Sequence, residues 1–334
     1  MRRLFLILFV TSLLAGTVAH SQTVINLTDK QKYELAAEYS RSHNGVAVLV
    51  MKGDKIVFED YSTDDAEEMP WFLASGTKSF SGVMCAAAIE DKLIKSFDEK
   101  VSDTITEWKS DPRKSKITIR QLLSLTSGID AGQIGIVPTY FEAISSRASY
   151  QPGTHFEYGP VPFQIFGELM TRKLKSKNET VMSYLKRHIL DPIGLTVAFW
   201  RKKNDQILLP QGASLTAREW AKFGLLLKNN GKWNGKQIVD AKLLDELTVG
   251  SKVNPAYGLT FWLNGKGTGP SGNERMNVGG EVLNGGKALD LFMAAGAGNQ
   301  RLYVIRTQDL VVVRFGMFGG WDDREFISKL LTGK

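Results

Sequence analysis

The sequence of 334 residues has few of the side chains that form disulfides or bind metals. Cys85 is its single cysteine, which excludes an internal disulfide, and the apolar residues around it predict a buried side chain. The histidines number four, and no two of them have the spacing of metal ligands. We therefore expect no metal site and no cofactor.

Long blocks of one charge, internal repeats and low-complexity linkers are also absent from the sequence. The formal net charge is +7, but the lysines and arginines are scattered or stand in small groups. A nucleic-acid-binding protein usually concentrates its basic residues in one patch or stripe. The pattern instead indicates mild excess charge on a solvated surface, so we expect no nucleic-acid partner.

The N-terminal apolar run, residues 4–14, is shorter than the roughly 20 residues that a membrane-spanning helix needs. It follows two arginines and leads to Ala19-His20-Ser21, which has small residues at the two positions that a signal peptidase reads. We expect residues 1–21 to be a signal peptide and Gln22 to begin a periplasmic or secreted protein. A membrane anchor is the alternative, and the short run disfavours it, so no stable membrane span should remain after cleavage.

Ser75 and Lys78 stand three residues apart, just before a long apolar helical stretch. On a helix this spacing places both side chains on the same side, one turn apart. If the turn is buried, the lysine loses its hydration and its pKa falls, so it can take the proton of the serine hydroxyl at neutral pH. The same spacing recurs at Ser183 and Lys186, and both pairs cannot be the active site.

Strand patterns lie at both ends of the sequence and helix patterns in the middle. A hairpin is predicted over residues 46–59, and apolar strands recur in the last quarter of the chain. The simplest packing joins both ends into one antiparallel sheet flanked by helices, with a helical lobe inserted between them. We expect one α+β domain, residues 22–334, with a sheet lobe at about 22–74 and 255–334 and a helical lobe at about 75–254.

Four segments follow one another in the order and spacing of a known set of motifs. They are Ala74-Ser75-Gly76-Thr77-Lys78-Ser79-Phe80, residues 117–128 with Thr126-Ser127-Gly128 at the end, Pro152-Gly153-Thr154-His155-Phe156-Glu157-Tyr158, and residues 215–224. Together they resemble the serine β-lactamase and penicillin-binding-protein superfamily, and are most similar to its class C β-lactamase-like esterases, amidases and D-peptidases. The resemblance covers nearly all of the chain after residue 21 and favours Ser75 over Ser183.

The resemblance implies acyl-enzyme chemistry at these positions. Ser75 would attack a carbonyl group, Lys78 would hold or take its proton, and Tyr158 would be the second proton-transfer group. Which of Lys78 and Tyr158 is the general base stays open, because a phenol beside an ammonium group can have a lowered pKa.

The chain departs from the family pattern at the second motif. That motif normally reads Tyr-x-Asn, whereas this chain has Tyr158-Gly159-Pro160. The amide that would touch both the lysine and the substrate is therefore missing, and proline cannot replace it as a donor. Leu125 also stands where the family usually has a histidine.

The third motif, normally Lys-Thr-Gly or His-x-Gly, aligns with Ala297-Gly298-Asn299-Gln300. The alignment implies that the backbone N–H groups of Ser75 and Gln300 form the oxyanion hole, with Gly298 and Asn299 beside the substrate. The cation that pairs with a β-lactam carboxylate is absent from this motif.

Three other positions could supply the missing cation. Arg301 and Arg306 are candidates by position only. Lys266-Gly267-Thr268-Gly269 resembles Lys-Thr-Gly, but it lies in a Gly/Pro/Ser-rich loop and overlaps a G-x-G-x-x-G spelling without the strand and helix of a dinucleotide site. We expect it to be a loop.

The residues favour an exported serine hydrolase that cleaves a small ester or amide, because the missing cation argues against efficient β-lactam turnover. One alternative is a β-lactamase or D-alanyl-D-alanine peptidase acting on cell-wall fragments. Another is a non-catalytic ligand-binding relative, although a binding module has no need of Ser75, Lys78 and Tyr158 together. A Ser-His arrangement with His155 is also conceivable, but no G-x-S-x-G elbow surrounds the serine.

Overall fold

The computed structural model describes residues 27–264 and 289–334. The predicted signal peptide, residues 1–21, and Lys266-Gly267-Thr268-Gly269 lie outside these ranges. Within them, no helix has both the length and the apolar character needed to cross a membrane.

Threonine side chains mark the starts of several helices. Within the described residues the α-helices are α1 (Asp29–Ser42), α2 (Ser79–Glu90), α3 (Ile119–Leu123), α4 (Tyr140–Ile144), α5 (Val161–Leu174), α6 (Val181–Leu185), α7 (Ala217–Lys228), α8 (Ala241–Glu246) and α9 (Asp323–Thr332). A threonine precedes α1, α3, α4, α6 and α7, and its hydroxyl oxygen accepts a hydrogen bond from the N–H three residues later.

The two ends of the chain form one antiparallel sheet, as predicted. Among the described residues the strands are β1 (Gly45–Lys52), β2 (Lys55–Tyr61), β3 (Trp71–Phe72), β4 (Phe199–Trp200), β5 (Lys202–Lys203), β6 (Gln206–Ile207), β7 (Ala213–Leu215), β8 (Lys232–Trp233), β9 (Lys236–Gln237), β10 (Trp262–Leu263), β11 (Leu291–Gly296), β12 (Gln300–Ile305) and β13 (Leu310–Gly316). Six of them follow the order β10-β11-β12-β13-β1-β2. β1 pairs with β13, so an N-terminal hairpin and C-terminal strands share one sheet, and the predicted α+β fold is confirmed.

Helices cover both faces of this sheet. Leu302 of β12 contacts Gly224 of α7, whereas the next residue, Tyr303, stacks on Phe326 of α9 with ring centroids 5.6 Å apart. Because successive side chains of a strand point to opposite faces, α7 lies on one face and α9 on the other. α1 packs beside α9 and β1. α7 falls in the range expected for the helical lobe, yet it packs on the sheet.

α2 connects the sheet to the helical part of the molecule. Its residues from Ser79 to Ala88 are buried on every side, as is typical of a helix in the core. Phe80 stacks on Phe223 of α7, with ring centroids 4.2 Å apart. Cys85 is buried in this helix, as predicted. The N-terminal end of α2 is therefore held at the boundary between the sheet and the helices.

Candidate active site

Ser75 lies on a tight turn immediately before α2. The turn is the 3-10 helix Ala74–Lys78, and Ala74 has a φ of +47°, in the left-handed region that residues with a side chain seldom adopt. Strain of this kind costs about 1–3 kcal/mol and persists only where the surrounding structure holds it. The turn leaves Ser75 partly exposed, while the three residues after it are buried.

Two glycines allow the turn to be held from both sides. A Cβ atom on Gly76 would lie 2.9 Å from the ring of Trp220 in α7. A Cβ atom on Gly296, at the end of β11, would lie 2.0 Å from the carbonyl oxygen of Leu73. Neither position leaves room for a side chain, so α7 and β11 fix the backbone that carries the serine.

Lys78 is buried directly behind Ser75. It is 4% exposed, and its Nζ donates to Ser75 Oγ and to the carbonyl oxygen of Pro210, each at 2.9 Å. The ring centroids of Tyr158 and Phe163 lie 4.9 and 5.4 Å from Nζ. No carboxylate of the described chain is among the groups that shift the pKa of Lys78, and burial lowers it to about 7. The neutral amine is therefore well populated at neutral pH.

Tyr158 completes a compact group with the serine and the lysine. Its ring packs against those of Trp262 and Tyr257, with centroids 5.3 and 6.2 Å away. Burial raises the pKa of Tyr158 to about 12, although the side chains of Ser75 and Trp262 and the charge of Arg301 act in the opposite direction. A lowered pKa was conceivable from the sequence, but the loss of phenolate hydration outweighs the neighbouring positive charge. The Tyr158 phenol is thus protonated at neutral pH.

The two middle motifs form one structural unit that places Tyr158. Residues 125–128 make a turn whose carbonyl groups accept hydrogen bonds from the N–H groups of Glu157, at 3.0 Å, and Gly153, at 2.7 Å. The segment that approaches Tyr158 is therefore tied to the turn after α3. This arrangement brings Tyr158 to Ser75 from the helical side of the molecule.

The backbone of β11 faces the serine through alternate residues. In an antiparallel strand, the N–H and C=O groups of one residue point to one neighbour and those of the next residue to the other. The carbonyl of Leu291 accepts from Asn264 on the β10 side, so the odd-numbered residues of β11 point that way. β10 pairs with Phe292 and Met293. Beyond these two residues the same alternation points the N–H of Ala297 to the β10 side of β11, into the space beside the serine.

Gln300 holds the shape of the β11–β12 hairpin. It pairs with Gly296 across the hairpin. Its side-chain amide donates to the carbonyls of Ala297, Gly298 and Gly316, and its Oε1 accepts from the N–H of Gly316. By the same alternation, the backbone N–H of Gln300 faces Gly296 within the hairpin. The position expected for the second oxyanion donor therefore shifts from Gln300 to Ala297.

A cleft of about 280 Å³ opens in front of the serine. This volume is at the lower end of the range for ligand sites, which suits a small substrate. Of the residues predicted for the site, Ser75, Tyr158, Gly298 and Asn299 line the cleft, and Lys78 lies behind the serine; Gln300 is not among the described lining residues. The remaining lining residues are Ile134, Trp262, Ala295, Gly296, Ala297, Arg301 and Phe318.

The charge of Arg301 is already paired. Its Nε and Nη2 lie 2.8 and 3.3 Å from the carboxylate oxygens of Asp323, and its Nη1 donates to the carbonyl of Gly296 at 3.3 Å. Arg301 is the one charged side chain among the described residues that line the cleft. Arg306, the other candidate cation, pairs with Asp245 and does not line it. Arg301 thus braces the hairpin instead of presenting a free charge to a substrate.

The second hydrogen-bond acceptor of Lys78 is a backbone carbonyl, whereas the family pattern has an asparagine side chain beside the lysine. Pro210 provides this carbonyl, and two buried side chains hold the segment around Pro210. Thr77 Oγ1 accepts from the N–H groups two and three residues after Pro210, at 3.2 and 3.3 Å. Gln164 Oε1 accepts from the N–H just before Pro210 at 3.2 Å, and its Nε2 donates to the carbonyl of Pro138 at 2.7 Å. Sequence reasoning missed Pro210 and Gln164, since no local pattern links them to Lys78.

The other candidates lie elsewhere. Ser183 is part of the N-terminal cap of α6, where its hydroxyl donates to the carbonyl of Thr180 at 2.9 Å. Lys186 pairs with Asp191 on the surface. His155 is exposed, stacks on a tyrosine ring and is not among the described residues lining the cleft. In the part of the chain that the structure describes, no group of three or more His, Cys, Asp or Glu side chains could hold a metal ion.

Comparison with known proteins agrees with this geometry. The sequence matches the family model named Beta-lactamase over residues 21–321. No curated protein sequence matches the chain. Among solved structures, a penicillin-binding protein homolog from Caulobacter crescentus is 14% identical, with a TM-score of 0.67 over 90% of this chain and 96% of that chain.

Two hydrolases have similar folds. EstCE1, described as a hydrolase with promiscuous acyltransferase activity, is 13% identical, with a TM-score of 0.68 over 90% of this chain and 98% of its own. A D-stereospecific amidohydrolase from Streptomyces sp. is 14% identical, with a TM-score of 0.63 over 91% and 98%. These likenesses show the fold, and the family match covers most of the chain. The resemblance expected from the motifs is confirmed: this chain belongs to the Beta-lactamase family of serine hydrolases.

Proposed function

We propose that the protein is an exported serine hydrolase that cleaves a small, neutral ester or amide through an acyl-enzyme on Ser75. The observation that carries this proposal is the distance of 2.9 Å between Lys78 Nζ and Ser75 Oγ. Because burial lowers the pKa of Lys78 to about 7, the neutral amine is accessible at neutral pH and can take the serine proton.

Acylation follows from these positions. The neutral amine of Lys78 takes the proton of Ser75 as Oγ bonds to the carbonyl carbon of the substrate. The carbonyl oxygen becomes an oxyanion between the backbone N–H groups of Ser75 and Ala297. Tyr158 then gives its proton to the leaving oxygen or nitrogen as the bond to the carbonyl carbon breaks. The ammonium of Lys78 returns a proton to the phenolate, and the acyl group stays on Ser75.

Deacylation again uses Lys78 and the two backbone N–H groups. A water molecule attacks the acyl carbon, Lys78 takes a proton from the water, and the oxyanion forms again between the same N–H groups. The bond from the acyl carbon to Ser75 Oγ then breaks, and Lys78 returns its proton to Oγ. The free acid leaves and the enzyme is regenerated.

The charge pattern of the cleft favours a neutral substrate. Arg301 is held by Asp323, so a substrate carboxylate would find no free cation among the described lining residues. The two solved hydrolases named above support ester or amide cleavage. The penicillin-binding protein homolog supports the alternative, a β-lactamase or D-alanyl-D-alanine peptidase, for which Arg301 would have to leave Asp323.

Export is a second part of the proposal. Its support is the short apolar run of residues 4–14 behind two arginines, followed by Ala19-His20-Ser21. Expression in a bacterial host followed by N-terminal sequencing of the periplasmic or secreted fraction tests it. A protein that begins at Gln22 supports export, and one that keeps its first 21 residues in the cytoplasm contradicts it.

A fluorophosphonate probe tests the nucleophile directly. We expect the purified protein to be labelled at Ser75, as located by mass spectrometry, and Ser75→Ala and Lys78→Ala to remain unlabelled. Ser183→Ala, the variant of the second Ser-x-x-Lys copy, is the matched control and should label normally. A folded protein that is not labelled would contradict the proposal and favour a ligand-binding relative. Trapping of Ser75 by labelled penicillin with slow release would favour the cell-wall alternative.

A further inference from the structure

Two large apolar side chains stand exposed at the mouth of the cleft. Phe318 is 78% exposed and Ile134 is 64% exposed. Both line the same cleft as Ser75. Single exposed apolar residues are common on protein surfaces, but apolar residues grouped around a cavity usually mark a binding site.

The two side chains come from loops that are far apart in the sequence. Ile134 lies on the loop before α4, next to Gly135, whose carbonyl accepts from the side-chain amide of Gln211 at 3.2 Å. Phe318 lies on the loop after β13, and its carbonyl accepts from the side-chain amide of Asn44 at 2.9 Å. Both loops are thus tied to neighbouring segments, and both present an apolar side chain to the cleft.

Each loop carries a second exposed apolar side chain, although neither is among the described residues that line the cleft. Ile136 follows Ile134 at two residues, and Met317 directly precedes Phe318; both are exposed. Between the loops, the one charged lining residue of the described chain is Arg301, and its charge is paired. An apolar entrance without a free charge binds an uncharged, apolar group better than a charged or strongly polar one.

From this we infer that the substrate carries an apolar alkyl or aryl group that lies between Ile134 and Phe318 while its carbonyl group is held at Ser75. The inference rests on the proposed hydrolase function and adds a substrate class to it. The cleft volume of about 280 Å³ limits the group to a medium-length alkyl chain or a single ring. The preferred substrates are therefore neutral esters or amides with such a group, and charged peptides and long-chain lipids are poor substrates.

Two ester series test the inference. In one, the acyl chain of p-nitrophenyl esters grows from acetate to octanoate; in the other, acetate esters carry methyl, butyl or benzyl alcohols. We expect kcat/KM to rise with apolar size in at least one series. In Phe318→Ala and Ile134→Ala, the ratio of kcat/KM for the best ester to that for its smallest member should fall about ten-fold.

Phe141→Ala is the matched control, since Phe141 is 72% exposed and lies outside the described lining of the cleft. Its size preference should equal that of the unchanged protein. Hydrolysis with no size preference, or a preference that survives in both cleft variants, would overturn the inference while leaving the hydrolase proposal intact. Loss of all hydrolysis together with absence of Ser75 labelling would instead overturn the proposed function.

Discussion

Burial of Lys78 has opposite effects on reactivity and on stability. Its pKa is about 7 in the folded protein, against 10.5 for an exposed lysine. Between these values the unfolded chain binds more protons than the folded one, so the contribution of this residue to the free energy of unfolding rises with pH. Below pH 7 Lys78 is protonated in both the folded and the unfolded state, so the free energy of unfolding is lowered by the full cost of burying the charge.

Replacing the lysine should therefore stabilise the protein while removing its activity. We expect Lys78→Met to raise the free energy of unfolding by a few kcal/mol at pH 6 and by clearly less at pH 10. Urea unfolding at the two pH values measures this, with the exposed Lys186→Met as the control. A gain that is equal at both pH values would show that the buried charge is not its cause.

The proton donor should matter most for poor leaving groups. We expect Tyr158→Phe to lower kcat/KM about 100-fold or more for alkyl esters and amides, whose leaving groups need a proton. A p-nitrophenyl ester should lose much less, because its leaving group departs as an anion. Tyr150→Phe removes an exposed hydroxyl as the control. Equal losses for both substrate types would contradict a donor role for Tyr158.

At the scale of elements, local patterns located the strands that form the six-stranded sheet. The hairpin over residues 46–59 was predicted because the signals of its two strands lie within a few residues of each other. The stretch after Ser75 was predicted as one helix, yet it begins with a 3-10 turn. The contacts that tighten this turn, from Trp220 and Gly296, come from distant parts of the chain, so no local pattern contains them.

The segment around Pro210 offers a test at this scale. Gln164 does not touch Lys78, but its side chain ties the Pro210 segment to the loop at Pro138. In Gln164→Leu we expect Pro210 to lose its position and the Lys78 ammonium to lose an acceptor, which lowers the lysine pKa further. The midpoint of the pH dependence of kcat/KM should then shift to a lower pH.

The matched control for this positioning role is the exposed Gln151→Leu, which should keep the midpoint of the unchanged protein. A Gln164→Leu protein that loses stability and overall rate but keeps the midpoint would show that Gln164 supports the fold without acting on Lys78.

For the whole molecule, the sequence predicted that the two chain ends pair in one sheet. It predicted only some of the residues that line the cleft. Ser75, Lys78 and Tyr158 stand in motifs, so the order and spacing of those motifs along the sequence predicted that the three side chains lie close together. Ala297 also belongs to an aligned motif, but the direction of its N–H follows from the register of the sheet, and Phe318 reaches the cleft through the path of a loop; both depend on packing across the entire chain. Such contacts become visible only in three dimensions.

Arg314 joins distant parts of the molecule. It is fully buried, and its guanidinium donates to Ser40 Oγ and the carbonyl of His43 near the end of α1, and to the carbonyls of Gly298 and Asn299 at the cleft. Burial lowers the pKa of Arg314 to about 10. The N-terminal helix and the cleft hairpin therefore share one buried cation.

Removing this cation should affect stability and activity together. We expect Arg314→Met to lower the free energy of unfolding by about 3 kcal/mol, because several buried acceptors lose their donor. kcat/KM should fall as well, since the turn beside the proposed oxyanion hole loses its support. Denaturant unfolding and ester hydrolysis measure both effects, with the exposed Arg147→Met as control. Lower stability with unchanged kcat/KM would show that Arg314 does not support the cleft.

The central claim is that buried Lys78 activates Ser75, and the pH dependence of Ser75 acylation tests it most directly. The rate of fluorophosphonate labelling, followed from pH 5 to pH 9 and localised to Ser75, should rise with one midpoint near the lysine pKa of about 7. In Lys78→Ala the rate should be low and without this transition. A rate that does not change with pH, or a midpoint near 7 that survives in Lys78→Ala, would contradict the account.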